Sequence, residues 1–271
     1  MKFAIDHDFH IHSGLSLCSG RPDQTPEAIL AYAKKNGLKK ICLTDHLWDE
    51  KAFALPADHW YGIQNIPYVR QSLPLPQDPE VEFYFGCETE FDKFFRVGLA
   101  RENFDLFDFV IIPTTHTHMV GFTLEEADNT EERRAALFIE RLDALLDQDL
   151  PFEKIGIAHL TCCFAGVNSE KDSQRRVLAS IPDAELYRIF GRIAKAGAGV
   201  ELNEDMFQYN EEELAVQLRF YRIAKECGCK FYLGSDAHHP NNLEEAIPFF
   251  QKAIDALGLQ ESDKYHIPDM K

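Results

Sequence analysis

Asp8-Phe9-His10-Ile11-His12 sets a carboxylate and two imidazoles at alternate positions of an apolar run, and Ser13-Gly14 follows at once. Alternate residues of a β-strand share a face, so a strand over residues 3–12 predicts Asp8, His10 and His12 on one side and Phe9 and Ile11 on the other. Two neutral imidazoles on one face suit a divalent transition ion, and a ligating imidazole commonly hands its second N–H to a carboxylate. That role falls to Asp8. Two histidines merely hydrogen-bonded at a strand end would give the same five residues, so the other apolar runs must decide. The run 39–44 ends in Asp45-His46, 81–86 in Cys87-Glu88, 107–115 in His116, 155–158 in His159, and 231–234 in Ser235-Asp236-Ala237-His238. The run 199–202 differs, with Glu201 inside it and Asn203 at its end.

These strand candidates need elements between them. Thr25-Pro26-Glu27 supplies an N-cap, a proline for the first turn and an early acidic charge, and Gly37 closes the predicted helix 26–36. Thr123 to Glu126 has capping-box spacing, and 130–147 carries apolar residues at helical period. Further helices are expected near 183–195, from Asn210 to about 227, and from Asn242 to 257. The segment 161–180 reads as a loop entering a helix. Residues 47–80 show no clear period and carry Trp48, Trp60, Tyr61 and five prolines. They form an irregular insertion whose aromatics either wall a pocket or simply pack. Seven strands parted mostly by helices imply parallel pairing through right-handed crossovers, which gathers the C-terminal strand ends on one face.

The chain's 271 residues exceed the usual domain, yet α/β barrels of this order form single units, so one domain over 1–271 is expected. With 28 basic and 45 acidic residues the formal charge is −17, and no long basic block occurs. Such a surface repels nucleic-acid backbone and anionic lipid. Extended duplex binding and membrane association are therefore not expected. There is no charged-then-apolar leader and no run of 18 apolar residues, which points to the cytoplasm. Seven cysteines without paired CxxC spacing read as reduced thiols.

His10, His12, His46, Glu88, His116, His159, Asp236 and His238 thus converge, and they take six of the eleven histidines. Eight candidate ligands exceed one coordination sphere, so two or three ions are implied, with Glu88 or Asp236 as a bridge. Mixed nitrogen and oxygen donors suit Zn, Mn or Fe. Asp8-x-His10-x-His12, Thr44-Asp45-His46, Gly86-Cys87-Glu88, Thr115-His116, His159 and Gly234-Ser235-Asp236-Ala237-His238 resemble, in order, the motifs of the PHP (polymerase and histidinol phosphatase) family. The chain's size and its Thr-Pro-Glu helix are most similar to the histidinol-phosphate phosphatases within it. The resemblance implies a distorted (β/α)7 barrel of the TIM type with two or three ions at the strand ends, and a place in histidine biosynthesis. It gives His10, His12, Glu88 and Asp236 to one ion, and Glu88, His116 and His159 to a second. A third takes His46 and His238. Where many members carry another histidine, this chain reads Ser16-Leu17-Cys18-Ser19-Gly20. Either the Cys18 thiolate substitutes or the third site is weak or empty.

The reaction expected of such a centre is hydrolysis of a small phosphomonoester by a metal-activated water held between Glu88 and Asp236, with Asp8 and Asp45 in support. Arg21, Lys171, Arg175 and Arg176 lie on loops at the same face, where a guanidinium fork suits phosphate, and His118 and His239 sit beside ligands. Three other readings stay open: a phosphodiesterase or exonuclease acting on nucleic-acid ends, a metal hydrolase of another bond class, and a non-catalytic metal-binding module. The net charge disfavours the first, the motif order the second, and the full ligand set the third.

Overall fold

The computed structural model describes residues 1–56, 58–203 and 210–268. In chain order its first half comprises β1 (His7–Ile11), α1 (Pro26–Lys35), β2 (Lys40–Leu43), β3 (His46–Leu47), α2 (Ile66–Val69), β4 (Glu82–Phe85), β5 (Cys87–Thr89) and β6 (Val110–Ile112). The second comprises α3 (Glu131–Leu146), β7 (Ile155–Ile157), α4 (Lys171–Ser180), α5 (Asp183–Ala196), β8 (Gly199–Asn203), α6 (Glu211–Glu226), β9 (Lys230–Gly234) and α7 (Pro240–Leu257). The ladders β1-β2-β4 and β3-β5-β6-β7-β8-β9 are parallel throughout. Since β2 runs on into β3 across Thr44-Asp45, and β4 into β5 across Gly86, seven strand positions lie side by side. At Gly86 an added Cβ would stand 2.6 Å from the Phe109 carbonyl oxygen, so only glycine lets the strand pass.

The outer strands β1 and β9 meet at one parallel bridge, Ile11 to Ala237. There the Asp236 amide donates to the His10 carbonyl (2.8 Å) and the His12 amide to that of Ala237 (3.0 Å). A continuous ladder between them is not formed among the described residues. The barrel expected from the resemblance is therefore seen as a parallel α/β fold whose edge strands touch at their C-terminal ends.

β1 also departs from simple alternation. Asp8 pairs with Ile41 and Ile11 with Leu43, so Phe9 and His10 together oppose Cys42, a β-bulge. Phe9 packs with Cys42, Tyr84, Phe109 and Tyr232 inside the curve of the sheet. Ile11, Ile41 and Leu43 pack outward under α1. The bulge thus turns Asp8 to the outer face while His10 and His12 point inward, which overturns the expectation that all three share a face.

Two apolar layers join the sheet to its helices, one beneath α1 and one beneath α3, α5, α6 and α7. Tyr265 and Ile267 of the C-terminal tail enter the interior from below. Helix starts follow the capping chemistry at Thr25, whose hydroxyl accepts from the Ala28 amide, and at Asn210, which forms a full capping box. Two expected caps fall elsewhere. α3 starts at Thr130, while the Thr123 hydroxyl bonds the Met119 carbonyl; α7 starts at Pro240, leaving Asn242 inside its first turn. The 47–80 segment is less irregular than its sequence suggests, with a 3-10 turn at Trp60–Ile63 and α2 capped by Asn65. Among the described residues no helix is long and apolar enough to cross a membrane.

Candidate metal centre

Parallel strands deliver their C-terminal ends to one mouth, and the side chains there are buried polar groups in an otherwise apolar sheet. His10, His12, Glu88, His116 and His159 are each no more than 6% exposed. Glu88 Oε2 stands 3.4 Å from His10 Nε2, 3.3 Å from His12 Nε2 and 3.1 Å from His46 Nδ1, and its Oε1 is 3.3 Å from His159 Nε2. Asp236 Oδ1 lies 3.1 Å from His12 Nε2 and 3.4 Å from His10 Nε2. Donor atoms within 4.8 Å of one another fall into four groups: His10/His12/Glu88/Asp236, Glu88/His116/His159, His12/His46/His238 and His10/His159/Glu201. The first two are the sets that the resemblance implied. The third adds His12 to His46 and His238.

The atoms fit divalent ions. Glu88 Oε2 and Asp236 Oδ1 are buried without a hydrogen-bond partner, and two imidazole nitrogens, His10 Nε2 and His12 Nε2, face each other at 3.0 Å. Around an ion with bonds of about 2.0–2.1 Å, tetrahedral donors stand roughly 3.3 Å apart, close to the separations found here.

Four of the rings are also held by the far nitrogen. Glu201 Oε1 takes His10 Nδ1 (2.6 Å), the Ser16 hydroxyl takes His12 Nδ1 (3.0 Å), Glu90 takes His116 Nδ1 (3.0 Å), and the Asp236 carbonyl takes His238 Nδ1 (2.8 Å). In each case Nε2 is left to face the centre. Ser16 in turn donates to Asp45 (2.7 Å), which also accepts from the Ser13 amide and hydroxyl. Asp45 therefore acts on His12 through Ser16. Asp8 does not touch an imidazole. It accepts the His10 and Ser235 amides (3.3 and 3.0 Å) and the Tyr32 hydroxyl, joining the bulge to the end of β9.

Electrostatics follow this layout. Burial alone would lower His10, but the carboxylates of Glu201, Asp236 and Glu88 lift it to about 10. Burial would raise Glu88, yet the neighbouring imidazoles of His46 and His10 hold it well below the carboxylate range. Asp236 is likewise depressed against burial by His10 and His12. His159 and Asp236 adopt positive φ of 31° and 53°, a strained backbone at two candidate ligand positions.

Cys18 is exposed at the rim beside His46, which burial would lower but the Glu88 carboxylate, with Cys18 behind it, lifts well above the ordinary imidazole range. It is outside the four donor groups. Of the expected phosphate contacts only His118 lines the cleft of about 280 Å³ over the centre, stacked on Phe164 at 3.9 Å. Arg21 is paired with Asp23 and Arg176 with Glu131, both on the surface. Lys171 and Arg175 on α4, and His239 before α7, are outside that lining as well.

Residues missing from the expected site are Ser16, Tyr61, Glu90 and Glu201. Glu90 is two positions past Glu88, which the period of two marks as the same face. Tyr61 bonds His46 Nδ1 through its hydroxyl (3.1 Å), and nothing in its irregular stretch announced that contact.

A model of the PHP domain family matches residues 8–205. The chain belongs to that family. Comparison with curated proteins finds no match. Among solved structures, this PHP chain is similar to the histidinol phosphate phosphatase of Lactococcus lactis subsp. lactis, complexed with Zn, L-histidinol and phosphate. The identity is 20% and the TM-score 0.61, over 92% of this chain and 93% of that one. It is also similar to a putative histidinol phosphatase from Listeria monocytogenes, at 13% identity and TM-score 0.59, over 87% of this chain and 96% of the other. At these identities the likeness speaks for the fold.

Proposed function

We propose that this PHP protein is a metal-dependent phosphomonoesterase of the histidinol-phosphatase type, with 1–271 working as one hydrolase unit on a distorted (β/α)7 barrel. The observation that carries the reading is Glu88, buried and set against four imidazoles at the meeting point of the donor groups. His10, His12, Glu88 and Asp236 would hold one divalent ion, Glu88, His116 and His159 a second, and His46 and His238 a third, with Zn, Mn or Fe as candidates. When bound there, such ions supply the charge that orients phosphoryl oxygens and lowers the pKa of water. The chain's own groups do the rest. Glu201, Ser16 with Asp45, and Glu90 fix which ring nitrogen carries the proton, so each Nε2 lone pair points into the mouth. Burial keeps bulk water away and strengthens every charge interaction inside.

The Lactococcus relative's complex with Zn, L-histidinol and phosphate supports this reaction class and a small substrate. The charge of −17 disfavours the alternative of an exonuclease. Protein loaded separately with Zn, Mn and Fe, assayed on a panel of small phosphate esters and on single-stranded DNA, tests the proposal. Monoesters, histidinol phosphate foremost, should turn over best. DNA cleavage exceeding turnover of every ester would reverse the assignment.

A further inference from the structure

Two of the three residues in the second donor group stand on loops rather than strands, His116 after β6 and His159 after the neighbouring β7. Their rings lie nearly flat on each other, with centroids 4.5 Å apart and planes 13° apart. Stacking keeps the rings in contact but does not fix the loops that carry them. Part of the fixing is done on the backbone of His159, whose amide donates to Glu201 Oε2 (2.8 Å) and whose carbonyl accepts the Thr115 hydroxyl (3.1 Å).

Farther along both loops the lacing passes to Arg134, at the start of α3 and 3% exposed. Its Nη1 donates to the Thr117 hydroxyl (2.6 Å) and the Phe164 carbonyl (2.9 Å), and its Nη2 to the Thr117 carbonyl (2.9 Å). Nε and Nη2 share Asn129 Oδ1 (3.1 and 2.9 Å), and the Thr117 hydroxyl donates in turn to the Phe164 carbonyl (2.8 Å). One planar fork thus pins the residue after His116 to the loop that leaves His159.

The charge of Arg134 points away from any direct use of it by a metal. Burial lowers the guanidinium to about 10, and no carboxylate among the described residues pairs with it, so it remains a cation at neutral pH. A cation behind two ligand loops repels an ion held between them. What the site gains from Arg134 is its directed donors.

We propose that Arg134 is a positioning residue for the second ion, clamping the two loops so that His116 and His159 face Glu88 together, a role that rests on the phosphomonoesterase reading and ion assignment above. Charge and clamp predict opposite signs. Removing a nearby positive charge by itself tightens cation binding, whereas releasing the clamp loosens it.

Zinc content and affinity, measured by elemental analysis and by competition with a chelator, test the role on the parent protein, Arg134→Met, Arg134→Lys and His159→Ala. Arg134→Met should weaken one zinc equivalent by roughly 10–100-fold and leave the others near the parent's affinity. Arg134→Lys, which keeps the charge but not the fork, should recover only part. His159→Ala marks the second equivalent, and adding Arg134→Met to it should cost little more, because effects routed through one group are not additive. Unchanged or tighter zinc in Arg134→Met, equal weakening of every equivalent, or full additivity with His159→Ala overturns the role while the ion assignment stands. A parent protein that takes up no zinc overturns the ion assignment and the role with it. If Arg134→Met shows no cooperative urea unfolding, Thr117→Val, which removes two bonds of the same clamp, is judged by the same outcomes.

Discussion

Glu88 stands within 3.4 Å of His10, His12, His46 and His159, so its charge serves more than one donor group. Glu88→Gln keeps the shape and removes that charge. Metal content by elemental analysis should fall and kcat should drop by about 10²-fold or more. Glu201→Gln is gentler, since it only loosens the hold on His10 Nδ1; metal affinity should weaken by roughly 10–100-fold. Because His10 is lifted to about 10, it carries a proton at neutral pH without metal, and loading must expel it. Calorimetry in buffers of different ionisation enthalpy should show proton release, with affinity falling as pH falls. Cys18→Ser should leave metal stoichiometry and kcat nearly unchanged, because Cys18 lies outside every donor group. The candidate ligands could be picked out in sequence because few residue types bind such ions and strand ends collect them. Their supports were not. Ser16 is a common residue type whose bond to His12, four positions away, depends on how the intervening turn folds, and Glu90 meets His116 only by tertiary contact. Arg21 and Arg176 had the right chemistry for phosphate but sit next to carboxylates that the fold brings closer.

At the scale of elements, the strands are positioned by groups that never touch an ion. The buried Arg141 side chain of α3 donates to the carbonyls of Phe91, Asp92, Thr114 and Thr123. It ties the end of the Glu88 strand to the approach to His116. Arg141→Met would leave those acceptors unpaired, at a cost of about 3 kcal/mol or more by urea denaturation, and Arg141→Lys should recover only part. At Gly234 an added Cβ would stand 2.1 Å from Glu201 Oε1 and 2.8 Å from His10 Cβ. Gly234→Ala should therefore weaken metal binding more than it lowers Tm. Alternating strands and helices announced the parallel sheet. The bulge at Phe9-His10 was invisible, because an alternating sequence assumes regular pleating and Asp8-x-His10 satisfied that assumption.

Across the whole molecule, the C-terminal tail is tied back to the first strand. Lys264 Nζ meets both Asp6 oxygens at 3.0 Å and Glu261 at 2.7 Å, while the Tyr265 amide donates to the Phe231 carbonyl. Partial burial would raise Asp6, but His7 and Lys264 hold it at about 2, below its ordinary 3.8. The folded state thus binds this proton less readily than the unfolded chain. Its contribution is complete above about pH 4 and is lost as pH falls toward 2. Asp6 is 39% exposed, so solvent screening limits the effect to about 1 kcal/mol. Asp6→Asn should lower the urea midpoint by a roughly constant amount above about pH 5 and flatten its fall between pH 5 and 2, where the two proteins converge. A parallel fold was readable from element order, but this latch joins residues 258 apart and has no local signature.

The contact of β1 with β9 also imposes a calendar on the centre. His10 and His12 are synthesised first, and their partners Asp236 and His238 more than two hundred residues later. Glu88, His116 and His159 are all made by residue 159. A growing chain can therefore gather one donor group midway, whereas the group at the seam must wait for the last strand. The first ion would be captured before β9 is made, and the seam would then close on a centre already begun.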